Sequence, residues 1–440
     1  MNFLDNILFA IILAIGIGYF ITNVKKLIRN INLGRDINRK DNPSERWKNM
    51  FMVALGQSKM VKRPIAGILH IIVYAGFVII NIEVIEIIID GLFGTHRVLS
   101  FLGGFYNVLI GSFEVLAVLV LVAVFIFWIR RNTIKLARFA SSDLKGAPKN
   151  DANYILYFEV VLMSLFLVMN AADFHLQNLG IGHYNQVGSF PISQYIAPLF
   201  NGMSEGLVIL IERAAWWLHI VGILIFLNYL YFSKHLHILL AFPNTFYADL
   251  NAKGKLDNLE SVTNEVKLML DPNADPFAAP ADTSTVPAKF GASDVQDLNW
   301  VQLLNAYSCT ECGRCTSSCP ANQTGKKLSP RKIIMDTRDR LEEVGRNIDL
   351  NKGVFVDDGK SLLNDYISTE ELWACTSCNA CVEECPINIS PLSIIMDMRR
   401  YLVMEQSAAP TELNNVMTNI ENNGAPWQYN QMDRLNWANE

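Results

Sequence analysis

The hydrophobic residues of this chain are concentrated in five long runs, all of which lie before position 242. A helix needs about 20 mostly apolar residues to cross a bilayer, and each run reaches that length. The runs occupy residues 4–23, 64–90, 107–129, 154–176 and 206–240. The pattern therefore predicts five transmembrane helices that are joined by polar loops.

The pattern changes after the fifth run. Residues 251–300 contain four dipeptides that end in proline, and a residue before proline avoids helical dihedral angles, which predicts a linker. The dipeptides are Asp271-Pro272, Asp275-Pro276, Ala279-Pro280 and Val286-Pro287. Beyond the linker, Ser329-Pro330 and Ser390-Pro391 each combine a serine N-cap with a proline at the first helical position. The similar stretches that follow them predict two matching helices and an internal repeat.

These signals predict an all-α protein with four parts. A membrane domain covers residues 1–245, a linker 246–293, a second helical domain 294–405, and a C-terminal tail 406–440 that docks a partner. The composition agrees with a large membrane domain, because 51% of the residues are hydrophobic and only 18% are charged. Lys25 and Lys26 follow the first run rather than precede it, which indicates a retained membrane anchor and not a signal peptide.

Charge in the loops predicts the orientation. The loop at 24–63 carries eleven Lys and Arg against three acidic residues, and the stretch 130–153 carries six Lys and Arg. The loop at 91–106 has only Arg97, and the loop at 177–205 has no Lys or Arg. Basic loops stay in the cytoplasm, so we expect the N-terminus outside and the C-terminal domain in the cytoplasm of a bacterial inner membrane. This rule also explains the basic loops without any nucleic acid partner.

All eight cysteines fall into two copies of the motif Cys-x-x-Cys-x-x-Cys-x-x-x-Cys-Pro. Such a run holds a [4Fe–4S] cluster, and in bacterial two-cluster ferredoxins its fourth Cys ligates the other cluster. Zinc also takes four thiolates, but its sites usually draw two from each of two separated pairs. We therefore predict two [4Fe–4S] clusters. Cys309, Cys312, Cys315 and Cys385 would hold the first, and Cys375, Cys378, Cys381 and Cys319 the second.

Several of the seven histidines lie in apolar runs, where neutral imidazole is a standard axial ligand of haem iron. His70 and His237 are each six residues from a proline at the cytoplasmic end of a run, and they predict one bis-His haem b. His219 lies 18 residues before His237. In one continuous helix that spacing is roughly 27 Å and would place a second haem at the outer face. The partner of His219 would be His96 or, as the alternative, His175.

Two glutamates on the second run, Glu83 and Glu86, stand three residues apart. Carboxylates at membrane depth relay protons in quinone-linked proteins, or they bond neighbouring helices. We expect Glu83 and Glu86 to be candidates for a proton relay to quinone.

The membrane half resembles the cytochrome b subunits of the nitrate reductase gamma and heterodisulfide reductase type. The resemblance rests on Arg63–Phe77, which contains His70, and on Trp216–His237 with its two spaced histidines. The cysteine-rich half is similar to the ferredoxin-like part of heterodisulfide reductase. The resemblance implies a five-helix cytochrome b bundle, haem b and quinone. It also implies a partner, because that family's catalytic part carries Cys-Cys-Gly motifs and no two cysteines are adjacent here.

The sequence thus predicts a respiratory electron-transfer subunit of a quinone-linked oxidoreductase. It would connect the menaquinone pool, haem b and two [4Fe–4S] clusters with a separate cytoplasmic Cys-Cys-Gly-type subunit. Glu421–Trp427 resembles the connector that leads into the catalytic part in fused relatives. Two alternatives stay open: a membrane-anchored iron–sulfur sensor or scaffold, and a conduit to a redox partner at the outer face.

Overall fold

The computed structural model describes residues 3–272, 289–428 and 430–439, and its regular structure is helical. The membrane half contains α1 Phe3–Ile31, α2 Pro43–Met50, α3 Pro64–Phe93, α4 Gly104–Asn132, α5 Ala147–Asn178, α6 Ser193–Ile196, α7 Glu205–Tyr229 and α8 His237–Phe246. The rest contains α9 Glu260–Leu270, α10 Trp300–Ser308, α11 Arg314–Ser317, α12 Pro320–Gln323, α13 Pro330–Leu350, α14 Leu362–Asp365, α15 Thr369–Trp373, α16 Ala380–Glu384, α17 Pro391–Met404 and α18 Thr411–Asn423. Among the described residues there is no β-strand, which confirms the all-α class.

Five of these helices are long and apolar enough to cross a membrane, which confirms the five predicted spans. They form a ring in which α3 packs on α4, α4 on α5, α5 on α7, and α1 closes the ring against α3 and α7. Phe9, Ile110, Phe113 and Phe166 are fully buried in the middle. Large apolar side chains such as Ile65, Val108 and Leu210 point outward and are more than half exposed, as a lipid-facing surface requires.

The fifth helix ends earlier than the hydrophobic pattern predicted. We expected it to run to residue 240, but α7 ends at Tyr229 and an extended Ser233 (φ −117°, ψ 149°) separates it from His237. Asp151 stabilises the break, because its carboxylate accepts from the Tyr229 hydroxyl at 2.6 Å and from the Lys234 N–H at 3.1 Å. The 27 Å spacing therefore does not apply, since His237 begins a separate helix, α8.

The two matching helices of the cysteine-rich half begin where the sequence predicted. The Ser329 hydroxyl accepts from the Lys332 N–H at the start of α13, and the Ser390 hydroxyl accepts from the Ser393 N–H at the start of α17. The two helices pack against each other. Each follows one cysteine run, so the internal repeat is visible in the fold.

Two predicted segments contain more helix than expected. The linker at 246–293 includes α9, and three of its four proline dipeptides lie outside the described residues. The tail at 406–440 includes α18 and a 3₁₀ stretch at Gln431–Ala438.

The cysteine-rich half rests on one end of the ring, which we call the inner end. Asn30 at the end of α1 donates to the Tyr307 hydroxyl at 2.9 Å. In the first basic loop, Arg63 forms an ion pair with Glu384 of α16 at 2.9 Å. In the loop before α5, Asp143 forms an ion pair with Arg331 of α13 at 2.7 Å. Both basic loops therefore lie on the same side of the bundle as the cysteines.

Candidate redox centres

The first group of thiols surrounds a cavity in the cysteine-rich half. Cys309, Cys312, Cys315 and Cys385 line it, together with Cys381. These are the four cysteines that the sequence assigned to the first cluster, and the fourth comes from the other run. Burial raises the pKa of the Cys309 thiol to about 12 and that of Cys385 to about 11. Thiolates at these positions therefore need a cationic partner, which bound iron would provide.

The second group contains the remaining cysteines. Cys319 is close enough to Cys375 and Cys381 for their charges to interact, and Cys378 is close to the same two. Cys378 is exposed, whereas Cys319 is buried. The fold thus brings Cys319 of the first run to the three leading cysteines of the second run.

The backbone repeats the same turn in both runs. Glu311 and Ser377 take φ angles of 54° and 56°, and Gly313 and Asn379 take 72° and 60°. In the first turn the Glu311 N–H points at the Cys309 sulfur at 3.4 Å, and in the second the Ser377 N–H points at the Cys375 sulfur at 3.4 Å. Left-handed residues between ligands turn N–H groups toward the sulfurs, and such bonds help set the potential of an iron–sulfur centre.

An imidazole pair lies beside this domain at the inner end of the membrane half. The ring centres of His70 on α3 and His237 on α8 are 6.3 Å apart, and the rings are tilted by 46°. His237 Nδ1 lies 3.1 Å from the Lys234 carbonyl. His70 Nδ1 is buried and has no hydrogen-bond partner among the described residues. His235 packs against His237 and Phe226.

His219 is not at the outer face, contrary to the sequence-based expectation. It lies past the middle of α7, where its Nδ1 is 3.0 Å from the Leu162 carbonyl and its ring packs on Phe166. His96 follows α3 at the outer end of the ring and packs against His183 and Tyr184. His175 packs against Phe200. Because the candidates lie at different depths, neither predicted partner forms a ring contact with His219 in the described part of the chain.

A polar pocket opens at the outer end of the ring. Glu83, Glu86, His96, Arg97 and Asp173 line it, along with residues of α7. Arg97 donates to Asp173 at 2.6 Å and lies 3.6 Å from Glu83. Glu86 accepts from the Tyr106 hydroxyl at 2.9 Å, whereas Glu83 Oε2 is buried without a hydrogen-bond partner among the described residues.

The pocket also contains residues that the sequence reasoning missed. Asp173 accepts from both Arg97 and His96, and Glu212 accepts from the Tyr184 hydroxyl at 3.0 Å. One signal could have identified the pocket: Arg97 is the only basic residue in the loop at 91–106. A lone cation next to several carboxylates in apolar helices indicates a buried ion-pair network.

Comparison with known proteins identifies the cysteine-rich half. Residues 308–389 match the family described as the 4Fe–4S dicluster domain. The whole chain is similar to the probable iron–sulfur-binding oxidoreductase FadF of Bacillus subtilis, with 31% identity over 99% of this chain and 61% of the relative. It is 27% identical to the EtfAB:quinone oxidoreductase of Syntrophomonas wolfei over 92% of this chain and 55% of the relative.

A shorter match covers part of the chain. It is 35% identical, over 24% of this chain and 52% of the relative, to one component of the ferredoxin/F420H2-dependent CoB-CoM heterodisulfide reductase of Methanosarcina acetivorans. No solved structure matches the chain. The chain spans about 60% of the length of the full-length relatives. These relatives confirm the resemblance to iron–sulfur oxidoreductases that the cysteine runs indicated.

Proposed function

We propose that this homologue of the iron–sulfur oxidoreductases, which contains a 4Fe–4S dicluster domain, carries electrons between a soluble redox partner and quinone in a bacterial inner membrane. Its iron–sulfur electron-transfer character follows from its relatives and its dicluster domain. One observation supports the membrane part of the proposal. The His70 and His237 rings lie 6.3 Å apart, and Arg314, which lines the cavity of the first thiols, is close enough to His70 for their charges to interact.

The two groups of thiols suit two [4Fe–4S] clusters. Cys309, Cys312, Cys315 and Cys385 would hold the first, and Cys375, Cys378, Cys381 and Cys319 the second. When bound, such clusters accept and release single electrons. The exchange of the fourth cysteine between the runs places the two groups side by side in one helical domain.

The imidazole pair suits one haem b. An imidazole nitrogen lies about 2.0 Å from a metal ion that it binds, and the ring centre lies about 1.1 Å behind that nitrogen. Two imidazoles on opposite sides of one iron therefore have centres about 6.2 Å apart. The separation of 6.3 Å between His70 and His237 agrees with this geometry. The Lys234 carbonyl orients His237 in the way that backbone acceptors commonly orient metal-binding histidines.

The residues do not suit a second bis-His haem in the same way. His219 contacts the Leu162 carbonyl and Phe166, and the Nε2 atom of His96 faces Asp173 at 3.1 Å. The pairing of His219 with His96 or His175 stays a prediction. In the described residues, neither histidine contacts the His219 ring.

Short contacts connect the imidazole pair with the first thiols. Asn244, on the helix that begins with His237, donates to the Ile387 carbonyl at 2.7 Å. Ile387 lines the first cavity and follows Cys385 by two residues. Arg314, which also lines this cavity, is close enough to His70 to act on its charge. The helix α8 therefore connects His237 with the loop that follows Cys385.

The outer pocket is the candidate site for quinone and its protons. Quinone reduction takes up two protons together with two electrons, so a site needs proton carriers close to a polar opening. Glu83 has an unpartnered oxygen, and Glu86 shares its hydrogen bonds with Tyr106 and the Leu99 N–H. We assign the proton relay to Glu83 first, because Glu86 is already held by two donors.

The soluble partner would be a Cys-Cys-Gly-type iron–sulfur subunit in the cytoplasm. Relatives of the cysteine-rich half include a heterodisulfide reductase component, and the exposed Cys378 marks the part of the dicluster domain that such a partner can approach. The contacts of both basic loops with this domain support a cytoplasmic location.

The cofactor content of purified variants tests the proposal. We expect His70→Ala and His237→Ala each to remove the same b-type haem from the absorption spectrum while cluster iron is retained. His183→Ala, which changes a histidine near the outer pocket, serves as the matched control and should keep the haem. Full haem content in both inner variants would refute the assignment.

A further inference from the structure

Three cations that form no ion pair among the described residues lie close to the first group of thiols. Arg314 lines the cavity and is buried. Its guanidinium donates to the carbonyls of Lys59 and Met60 at 3.2 and 3.3 Å, and it forms no ion pair among the described residues. The positive charge of Arg314 is therefore available to the thiols next to it.

Arg138 reaches the same thiols from the loop between α4 and α5. Its carbonyl accepts from Arg331 at 2.9 Å and lies 3.0 Å from the place that a Cβ on Gly313 would take. Gly313 directly follows Cys312, and the guanidinium of Arg138 interacts with the charge of Cys312. Arg138 Nε is buried without a hydrogen-bond partner, and the described residues offer the side chain no ion pair.

Lys59 adds a third cation from the loop before α3. Its ammonium group donates to the Asn388 side chain at 2.9 Å and to the Val382 carbonyl at 3.3 Å. These two residues lie on either side of Cys385, and the charge of Lys59 acts on that thiol. Lys59 and Arg138 both belong to the membrane half, so docking of the two halves delivers their charge to the first thiols.

The second group of thiols has a different environment. The cation that acts on Cys375 is Arg399, which donates to the carbonyls of Leu372 and Cys375 and lies over the Trp373 ring. Cys378 is exposed to solvent, which screens nearby charges. The two groups of thiols are thus alike in their turns and unlike in the charge around them.

We propose that Arg138 and Lys59, supplied by the two basic loops of the membrane half, act together with Arg314 to raise the reduction potential of the first cluster and leave that of the second unchanged. Adding one electron makes a thiolate-bound cluster more negative by one charge, and nearby cations stabilise this reduced form. Arg138 is therefore a positioning residue that acts on the cluster through charge alone.

The inference rests on the proposed function, because it requires both clusters to be present. The test is a redox titration of the full-length purified protein, followed by the cluster EPR signals. Arg138→Gln should shift one cluster midpoint to more negative values and leave the other unchanged. Arg138→Lys keeps the charge and should leave both midpoints in place. Lys135→Gln removes an exposed charge from the same loop and serves as the matched control.

Two further variants show which cluster has the shifted midpoint and guard against misfolding. Cys378→Ser alters a ligand of the second cluster, so it should change the signal that Arg138→Gln leaves unchanged. If Arg138→Gln loses cluster iron, Lys59→Gln makes the same test from the other loop. Unchanged midpoints in these variants, or an equal shift in Arg138→Lys, would overturn the inference. Absence of cluster signals from the unaltered protein would instead contradict the proposed function.

Discussion

The ion pair between Arg331 and Asp143 gives the sharpest prediction about how the two halves hold together. The Arg331 side chain is 0% exposed and that of Asp143 is 9% exposed, with 2.7 Å between their charged groups. Arg331 Nε also donates to Asp143 at 3.0 Å, so the ion pair is bidentate. Removal of one partner leaves the other charge buried and unpaired, which typically costs about 3–5 kcal/mol.

We therefore expect Arg331→Met to destabilise the docked cysteine-rich half by about 3–5 kcal/mol, since Asp143 then lacks its partner. Asp143→Asn should cost a similar amount, because the Arg331 guanidinium, whose side chain is fully buried, then lacks its carboxylate partner. The double variant should lose less free energy of unfolding than the sum of the losses in the two single variants. The assay is denaturant unfolding of the detergent-solubilised protein, followed by the loss of cluster absorbance, as a double-mutant cycle. Additive effects with no coupling would refute the reasoning.

The same pair predicts a dependence on pH. Burial alone would raise the pKa of Asp143, but hydrogen bonds from Ser141 and Arg331 outweigh it and hold the pKa below the ordinary value of 3.8. A carboxyl with a lowered pKa adds stability above its unfolded pKa and loses it as the pH falls through the folded pKa. The contribution is therefore complete near neutral pH and declines below about pH 4. Asp143→Asn should remove this part of the acid sensitivity.

Further predictions concern the cofactors and the proton path. Anaerobically purified protein should contain about eight iron atoms beyond haem iron, because two complete runs each hold four; zinc in their place, without an EPR signal after reduction, would contradict the clusters. Glu83→Gln should slow quinone reduction and leave haem and cluster content unchanged. The control Glu159→Gln, which lies outside the outer pocket, should have little effect on the rate. Equal rates of quinone reduction in Glu83→Gln and the unaltered protein would show that Glu83 is not on the proton path. The chain alone should not reduce a disulfide, since all eight cysteines are assigned as cluster ligands; rapid oxidation of its haem by a disulfide without a partner would show another active site.

Much of the fold was predictable because its signals are local. Hydrophobic runs of sufficient length predicted the five spans, and Ser329 and Ser390 marked the starts of α13 and α17. The end of α7 was not predictable in this way. The break at Ser233 depends on the carboxylate of Asp151, which is distant in sequence, and the stretch from Leu230 to Leu239 is apolar enough to continue a helix.

The candidate redox centres were likewise predictable only in part. The regular spacing within the cysteine runs predicts which thiols belong together, and in the structure Cys309, Cys312, Cys315 and Cys385 line one cavity with Cys381. The pairing of His70 with His237 was predictable from their equal distances to the inner prolines. The depth of His219 was not, because it was counted along a helix that is interrupted. The roles of Arg138 and Lys59 required the docked structure, since nothing in the basic loops shows which cations approach the thiols.

The central claim is that electrons pass between the clusters and quinone through the His70–His237 pair. Stopped-flow spectroscopy tests it directly: protein reduced with dithionite is mixed with a menaquinone analogue, and the haem and cluster absorbances are followed together. We predict that both are oxidised quickly in the unaltered protein, and that in His237→Ala the clusters stay reduced while their iron is retained. Equally fast oxidation of the clusters by quinone in His237→Ala would contradict the account.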